Sequence, residues 1–361
     1  MLSSRSSAVA CRQTQATRRP TPTLFQALAF LKWSALIMAP RMFPSPESIQ
    51  ELTVSGAGNS DKGKKRKLNE DRFVVKDELH LYLVCDGAGG HNAGDVAAAL
   101  AARSITNYVG ATVRAAFERP EFDRFGIPNG ARRISAAVHK ANNDIIEISR
   151  TSYQHRGMGT TVVAVSFTPR SGLIHVAHVG DSRCYRLRAG HLELLTQDHS
   201  LLTDVVENRP ELDDTMLERL PRNIITRALG VDPELRVSVR SYAVVEGDRY
   251  LLCSDGLYSP LPASTIANAM RDIVCPEAAT SHLIDCANDA GGPDNISVVI
   301  VDCASGPNLA LPSGLSAPPP SPEQHYMPDP ELLILGIEDI DLDDSASDEL
   351  LQSLGEIFNR K

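Results

Sequence analysis

Short apolar runs separated by turn residues follow one another along much of the chain. Each run is five to eleven residues long and rich in Val, Ile, Leu or aromatic residues, which is typical of strands in an antiparallel sheet. The predicted strands are 49–55, 69–75, 80–85, 160–167, 173–179, 184–188, 191–195, 235–245, 249–253 and 296–302.

Longer segments with apolar residues three and four positions apart predict helices. Two long, Ala-rich ones span 94–117 and 129–150, and two shorter ones span 265–270 and 276–290. The mixed, polar segment 200–220 predicts short helices in an excursion over the surface. Strands, a helix pair, strands and further helices give an α+β order. Two packed sheets with helices outside would satisfy it.

Composition limits the possible functions. The 361 residues are 42% hydrophobic and 22% charged, so the chain can form a sizeable core. The net charge of −9 argues against a nucleic-acid-binding protein, whose binding surface would be basic. The seven cysteines include no CxxC pair and several lie in apolar runs, so a reducing, cytoplasmic compartment without disulfides is expected.

Both ends of the chain differ from its middle. The apolar segment 24–39 is interrupted by Lys32 and is short for a membrane span, which needs about 20 apolar residues. A signal peptide is one explanation, and a true start at Met38 or Met42 is the preferred one. We therefore expect a non-globular extension at 1–48, a domain at 49–304, a Pro/Ser-rich linker at 305–330 and an acidic amphipathic tail at 331–361. The tail is either solvated, the preferred reading, or able to dock.

The run 81–85 ends at Asp86, and three glycines follow within four positions. This pattern predicts a buried strand that stops at a carboxylate and turns sharply into a helix. Such a carboxylate could hold a metal ion, and the glycines would let backbone carbonyls approach the same ion. An ordinary turn-forming Asp is the alternative.

Four other stretches place carboxylates at strand ends or tight turns. They are Asn69-Glu70-Asp71, Gly180-Asp181-Ser182, Ser254-Asp255-Gly256 and Pro293-Asp294-Asn295. Scattered Asp and Glu without His or Cys suit Mg²⁺ or Mn²⁺ and not zinc. Two such ions about 3.5–4 Å apart can share an Asp and a hydroxide that attacks phosphorus. Arg66 could bind phosphate oxygens with its planar fork.

The ordered set of motifs resembles the metal-dependent type 2C (PPM) protein serine/threonine phosphatases, and the bacterial branch most. The motifs are Ser60-Asp-x-Gly-x-x-Arg66-x-x-Asn-Glu70-Asp71, Val84-Cys-Asp86-Gly87 with Gly89-Gly90, Gly159-Thr-Thr161, Val179-Gly-Asp181-Ser-Arg183, Ser254-Asp-Gly256 and Asp294-Asn295. Each motif is weak alone, and the set in this order is highly specific. The resemblance implies an α+β fold with a central β-sandwich of two antiparallel sheets flanked by helix pairs.

The resemblance also implies a role for each matched position. Asp86 would bridge two metal ions and orient the attacking hydroxide, and Gly87 would offer its carbonyl to one ion. Glu70 would hold one ion largely through water, and Asp255 and Asp294 would complete the shell of the other.

The remaining matched positions would serve the substrate or a further ion. Asp71 would orient water or a metal-bound ligand, and Arg66 would bind the substrate phosphate. Asp181, with Asp255, resembles the ligands of a third, weaker metal ion.

One position departs from the family pattern. Many eukaryotic members have a His directly after the Asp-Gly pair, where this chain has Ala88. His91 is not at the matched position and is expected to be a surface residue. A metal-bound water is then the expected general acid, and a structural role is predicted for His199.

The resemblance implies Mg²⁺- or Mn²⁺-dependent hydrolysis of phosphoserine and phosphothreonine in proteins, opposing a serine/threonine kinase. Two alternatives stay open: an inactive relative that binds phosphoproteins, and a regulatory phosphatase of an anti-sigma-antagonist pathway. The complete carboxylate set argues against the first, and the lack of a visible sensor domain against the second. A monomer that binds neither nucleic acid nor membrane is expected.

Overall fold

The structure is a computed structural model that describes residues 52–305, except 89–92, 119, 152, 210–216, 218, 219, 222 and 223. All residues that the structure describes belong to one unit, Ser48–Lys361. The predicted N-terminal extension, linker and acidic tail lie outside the described residues, apart from residue 305, and so does His91.

Twelve strands form the sheets of the described part. They are β1 (Leu52–Asp61), β2 (Arg72–Lys76), β3 (Leu81–Cys85), β4 (Gly87–Ala88), β5 (Gly159–Thr160), β6 (Val162–Thr168), β7 (Leu173–Val179), β8 (Arg183–Arg188), β9 (His191–Leu194), β10 (Ser238–Ala243), β11 (Arg249–Cys253) and β12 (Ile296–Ser305).

The strands make two five-stranded sheets and one small ladder. The first sheet has the order β1-β12-β11-β8-β9, the second has the order β10-β7-β6-β3-β2, and β4 pairs with β5 alone. Every pairing is antiparallel. One hydrophobic cluster joins the two large sheets, with Tyr82, Val163 and Tyr250 fully buried in it. The predicted α+β fold with two antiparallel sheets is confirmed.

Six α-helices with defined bounds accompany these strands in the described part. They are α1 (Ala93–Glu118), α2 (Asn129–Thr151), α3 (Leu201–Asn208), α4 (Asp255–Tyr258), α5 (Ala263–Asp272) and α6 (Pro276–Asp289). No described helix combines the length and the apolar character that a membrane crossing requires.

The helices cover the outer faces of the sandwich in pairs. In α2 the buried residues Ile134, Val138, Ala141 and Ile145 recur every three or four positions, so one stripe of the helix faces inward. A cluster containing this stripe joins α1 and α2 to the second sheet. A separate cluster joins α5 and α6 to the first sheet. The predicted arrangement of a sandwich between helix pairs is therefore present.

Several element boundaries differ from the sequence prediction. β1 continues from the predicted end at residue 55 to Asp61, because residues with turn-like composition pair with β12 along their whole length. β10 is shorter than the predicted 235–245. The short helix α4 was not predicted, since four residues carry no readable periodicity.

The topology gathers the sequence motifs at one end of the sandwich. Asp86 follows the fully buried strand β3 of the second sheet. Asp255 follows β11, and Asp294 precedes β12, two neighbouring strands of the first sheet. Since β11 and β12 are antiparallel, the end of one meets the start of the other. Carboxylates from both sheets thus meet at one edge.

Candidate active site

Asp86 is held by its backbone at the end of β3. Its carbonyl accepts hydrogen bonds from the amide of Thr161 at 2.9 Å and from Oγ1 of Thr160 at 2.8 Å. Its amide donates to Oγ1 of Thr161 at 3.2 Å. Both threonines are buried, with exposed fractions of 0% and 1%, so the position of Asp86 is rigidly determined.

Two glycines allow the segments that carry the carboxylates to approach. A Cβ at Gly87 would lie 2.3 Å from the carbonyl oxygen of Gly94 and 2.7 Å from that of Glu70. A Cβ at Gly256 would lie 1.9 Å from the carbonyl oxygen of Asn295. All three distances are far inside van der Waals contact. Only glycine therefore fits at these two positions without a backbone shift.

The amide side chain of Asn295 holds the loop between β1 and β2 at three points. Its Oδ1 accepts a hydrogen bond from the amide of Glu70 at 2.9 Å. Its Nδ2 donates to the carbonyl oxygens of Lys62 and Leu68 at 2.9 and 2.8 Å. The loop before β2 is thereby fixed beside the segment that carries Asp294.

The charges of the carboxylates oppose one another. Burial, followed by the charges of Asp71, Asp255 and other carboxylates, raises the pKa of Asp86 well above its usual range. Burial, followed by the charge of Asp294, likewise raises the pKa of Asp255. Buried carboxylates that raise one another's pKa in this way are stabilised by a proton or a cation.

Two more acids share this environment. Burial raises the pKa of Asp71 to about 6, although the hydrogen bond from Ser254 opposes the shift. Oγ of Ser254 donates to Oδ2 of Asp71 at 2.8 Å, and Oδ1 is buried without a hydrogen-bond partner in the described part. Burial also raises the pKa of Glu70, with Arg66 acting against it. The site therefore holds more negative charge than its own protein cations neutralise.

Arg66 lies on the same side of the site as Asp294. Its Nη2 donates to Oδ2 of Asp294 at 2.6 Å, and Oδ1 of Asp294 accepts from the amide of Asn295 at 2.8 Å. Both oxygens of Asp294 are thus engaged. Among the described residues, no three His, Cys, Asp or Glu side chains already converge as a finished metal-ligand group.

The donor set nevertheless fits hard divalent cations. Among the described residues, only oxygen donors gather here, as Mg²⁺ and Mn²⁺ prefer. Oδ1 atoms of Asp71, Asp181 and Asp255 are buried and have no hydrogen-bond partner within residues that the structure describes. Unpaired buried carboxylate oxygens are costly, and a cation would stabilise them. Glu70, Asp86, Asp255 and Asp294 with the carbonyl of Gly87 could therefore hold such ions.

Asp181 lies at the margin of this group and is the second residue after β7. It is 9% exposed, and burial, followed by the charges of Asp255 and Asp198, raises its pKa to about 6. The hydroxyl of Tyr258 donates to the carbonyl of Asp181 at 3.1 Å. The ring of Tyr258 in turn lies under the guanidinium of Arg183, 3.7 Å from the ring centroid. The two contacts of Tyr258 hold the backbone around Asp181 in place.

The structure describes the surroundings of His199 but not those of His91. Ala88 is exposed at the end of β4, and His91 lies outside the described residues. His199 is buried and stacks on His178 with ring centroids 4.6 Å apart. Its Nδ1 accepts from the amide of Gly180 at 3.1 Å, as a structural role requires.

The sequence prediction missed some residues of this site. Asp95 lies in the first turn of α1, and its charge adds to burial in raising the pKa of Glu70. Its Oδ2 is 3.9 Å from Nη2 of Arg72, and its Oδ1 is buried without a hydrogen-bond partner among the described residues. An acid in a first helical turn is common, so its sequence gave no functional signal. Asn295 and Thr161 belong to quoted motifs, but their hydrogen-bonding roles became visible only in three dimensions.

Comparison with known proteins decides the family. Residues 58–285 match the family described as Protein phosphatase 2C. The chain belongs to the protein phosphatase 2C family. The bacterial PPM phosphatases that the motifs resemble are thus confirmed as its relatives.

Individual relatives agree with this assignment. The chain is 31% identical over 246 residues to the serine/threonine phosphatase stp of Listeria monocytogenes serotype 4b (strain F2365), covering 67% of this chain and 93% of that protein. It is 36% identical over 257 residues to the serine/threonine protein phosphatase PstP of Mycobacterium tuberculosis (strain CDC 1551 / Oshkosh). That match covers 70% of this chain and 45% of PstP, so the chain spans less than half of that relative.

A solved structure of a relative contains metal. The catalytic domain of serine threonine protein phosphatase PstP, in complex with two manganese ions, superposes with a TM-score of 0.57 at 32% identity. The match covers 70% of this chain and 99% of that one. The family fold therefore extends over the described domain.

Proposed function

We propose that this chain hydrolyses phosphoserine and phosphothreonine in proteins and depends on Mn²⁺ or Mg²⁺. Support comes from its membership of the protein phosphatase 2C family and from relatives named serine/threonine phosphatases. A relative that holds two manganese ions supports the metal requirement. The substrates are accordingly phosphorylated proteins.

The observation that carries the proposal is the meeting of carboxylates from separate segments beside one arginine. Burial raises the pKa of Glu70, Asp86 and Asp255, and no protein cation other than Arg66 relieves them in the contacts described. Such a site is unfavourable as it stands and favourable around divalent cations. Two divalent ions with four carboxylates would leave it close to neutral.

Each site residue then has a task. Glu70, Asp86, Asp255 and Asp294 would hold the ions, together with the carbonyl of Gly87. Two bound ions would lower the pKa of a coordinated water molecule and so supply a nucleophile near neutral pH. Since the nucleophile is water, no side chain becomes phosphorylated.

Arg66 and Asp71 act on the substrate and on water. The guanidinium of Arg66 is half-exposed, with 51% of the side chain accessible, so its fork can also contact a phosphate. Oδ2 of Asp71 is held by Ser254, which leaves Oδ1 free to accept a hydrogen bond from water. Asp181 is proposed to hold a third, weaker ion with Asp255.

The test is hydrolysis of a phosphothreonine peptide by the purified full chain. We expect turnover with Mn²⁺ or Mg²⁺ and none with EDTA. Asp86→Asn removes the charge between the ions and should lower turnover at least a hundredfold, about 2.7 kcal/mol of barrier. Asp272→Asn, at an exposed Asp on α5, is the matched control and should change nothing.

Two results would contradict the mechanism. One is turnover without metal, and the other is a trapped phosphoenzyme. Tight binding of the phosphopeptide without turnover, with both ions bound, would instead identify an inactive relative.

We also propose a cytoplasmic monomer that reverses the action of a serine/threonine kinase. Cys85, Cys184, Cys253 and Cys303 are buried free thiols, as expected of a protein from a reducing compartment. Cell fractionation and light scattering of the purified chain test location and oligomeric state. Phosphoproteomes with and without the gene would identify the kinase substrates that accumulate.

A further inference from the structure

The loop between β1 and β2 concentrates positive charge next to the site. We call residues 62–67 the basic loop; five of its six residues are cations, namely Lys62, Lys64, Lys65, Arg66 and Lys67. All five are exposed. The chain as a whole carries a net charge of −9, so this concentration is not a general property of its surface.

The basic loop is held in place by backbone hydrogen bonds. The amides of Lys64 and Lys65 donate to the carbonyl of Gly292 at 2.9 and 3.1 Å. Nδ2 of Asn295 holds the carbonyl of Lys62 at 2.9 Å. The lysines of the loop therefore keep a fixed place beside the segment that carries Asp294.

Most of this charge has no protein partner. Arg66 pairs with Asp294, and Lys64 lies 3.6 Å from Asp289, with both side chains more than half exposed. Such exposed pairs contribute little. Lys62, Lys65 and Lys67 form no ion pair with any residue in the described part of the chain. Their charge is available to an external anionic group.

We propose that the basic loop docks substrates and selects phosphoproteins with Asp or Glu close to the phosphorylated residue. This inference rests on the proposed function, because it takes Arg66 as the phosphate-binding residue. The Cα atoms of Lys65 and Lys67 are one residue, about 3.8 Å, from that of Arg66. An extended substrate advances about 3.3 Å per residue.

These distances determine which substrate positions the lysines of the basic loop can attract. In an extended substrate, a residue two positions from the phosphorylated one is about 7 Å away and a residue three positions away is about 10 Å away. Both distances are comparable to the screening length of about 8 Å at physiological salt. Acidic side chains at these positions would be attracted by Lys62, Lys65 and Lys67, which form no ion pair within the described part of the chain. Attraction of this kind changes KM and the association rate more than the chemical step.

The experiment compares two phosphothreonine peptides of equal length with the full-length chain and Mn²⁺. One peptide has Asp and the other Ala at positions −3, −2, +2 and +3 from the phosphothreonine. The test variant is Lys62→Gln/Lys65→Gln/Lys67→Gln. The control variant, Lys76→Gln/Lys140→Gln/Arg150→Gln, removes the same charge from exposed residues outside the basic loop.

The wild-type chain should process the Asp peptide about tenfold better in kcat/KM, mainly through KM, and 0.5 M NaCl should remove this preference. The test variant should lose the preference at low salt while its rate on the Ala peptide changes less than twofold. The control variant should keep the preference. Thermal unfolding of all three proteins verifies that the variants are folded.

Failure of the inference can be told apart from failure of the proposed function. Equal kcat/KM values on both peptides, or a preference that survives in the test variant, would overturn docking by the basic loop. Metal-dependent hydrolysis of a small phosphate ester would still support the phosphatase function in that case. Absence of hydrolysis on every substrate would overturn the function, and the docking inference with it.

Discussion

Gly256→Ala is the sharpest structural test of how the metal-binding segments are held together. Gly256 is the second residue of α4, directly after Asp255. A Cβ there would lie 1.9 Å from the carbonyl oxygen of Asn295, whereas ordinary contact begins near 3.4 Å. The two backbone segments would have to separate by more than 1 Å. Asp255 and Asp294 lie on those two segments.

Two opposing effects determine the size of the change. Alanine in a helix is favoured over glycine by up to about 1 kcal/mol. Overpacking against a rigid backbone costs about 1–3 kcal/mol, and here the obstacle is a backbone carbonyl that cannot rotate away. The larger effect is the clash, so we expect net destabilisation of about 1–2 kcal/mol. Misplacement of a site by 1 Å can cost about a hundredfold in rate.

The assay is urea unfolding together with Mn²⁺-dependent hydrolysis of a small phosphate ester. Gly110→Ala in α1 is the matched control, since its Cβ would lie 3.7 Å from Leu79 in ordinary contact. The control should gain up to about 1 kcal/mol of stability and keep full activity. If Gly256→Ala matched the control in stability and turnover, the close approach of these segments would not be what positions the carboxylates.

Three further predictions concern the tail, the third ion and pH. A chain truncated after Gly306 should keep its melting temperature and its turnover of a small ester, unless the acidic tail packs on the domain. Asp181→Ala should lower turnover and remove only the weakest phase of a calorimetric Mn²⁺ titration; loss of the tight phase would place Asp181 in the core. Burial, with a smaller effect of Arg133, lowers the pKa of His175 to about 3, so between pH 6.5 and 5.5 the unfolded chain gains a proton that the folded chain does not. His175 alone should lower the unfolding free energy by about 1 kcal/mol over this range, and this contribution is measured as the difference in pH dependence between the wild-type chain and His175→Gln.

Local signals allowed much of the fold to be predicted from the sequence. Strands such as Leu173–Val179 and Arg249–Cys253 match their predicted limits because each is a compact apolar run with turn residues at both ends. β1 exceeded its prediction because pairing with β12 overrides the composition of residues 56–61. The pattern of apolar and polar residues did not indicate which strands pair in each sheet. It depends on contacts between residues far apart in the chain.

The residues of the site also differ in whether the sequence indicates them. The carboxylates Glu70, Asp86, Asp255 and Asp294 stand out in sequence because each ends or begins a strand at a turn. Asp95 does not stand out, since an acid in a first helical turn needs no ligand to explain it. Its proximity to Glu70 follows from the packing of α1 against the second sheet. Such a position is found only by locating unpaired buried oxygens in the structure.

The ion pair between Arg66 and Asp294 shows why the remaining contacts could not be predicted. Each residue was assigned a role separately, one toward phosphate and one toward metal, yet 228 positions separate them and neither sequence context indicates the other. Their contact depends on the backbone carbonyl of Gly292 and on the side-chain Nδ2 of Asn295, which hold the basic loop against the segment before β12. Backbone carbonyls have no sequence signature. A divalent ion on Asp294 would compete with Arg66 for the same oxygens, so metal binding would favour an arginine free to contact phosphate.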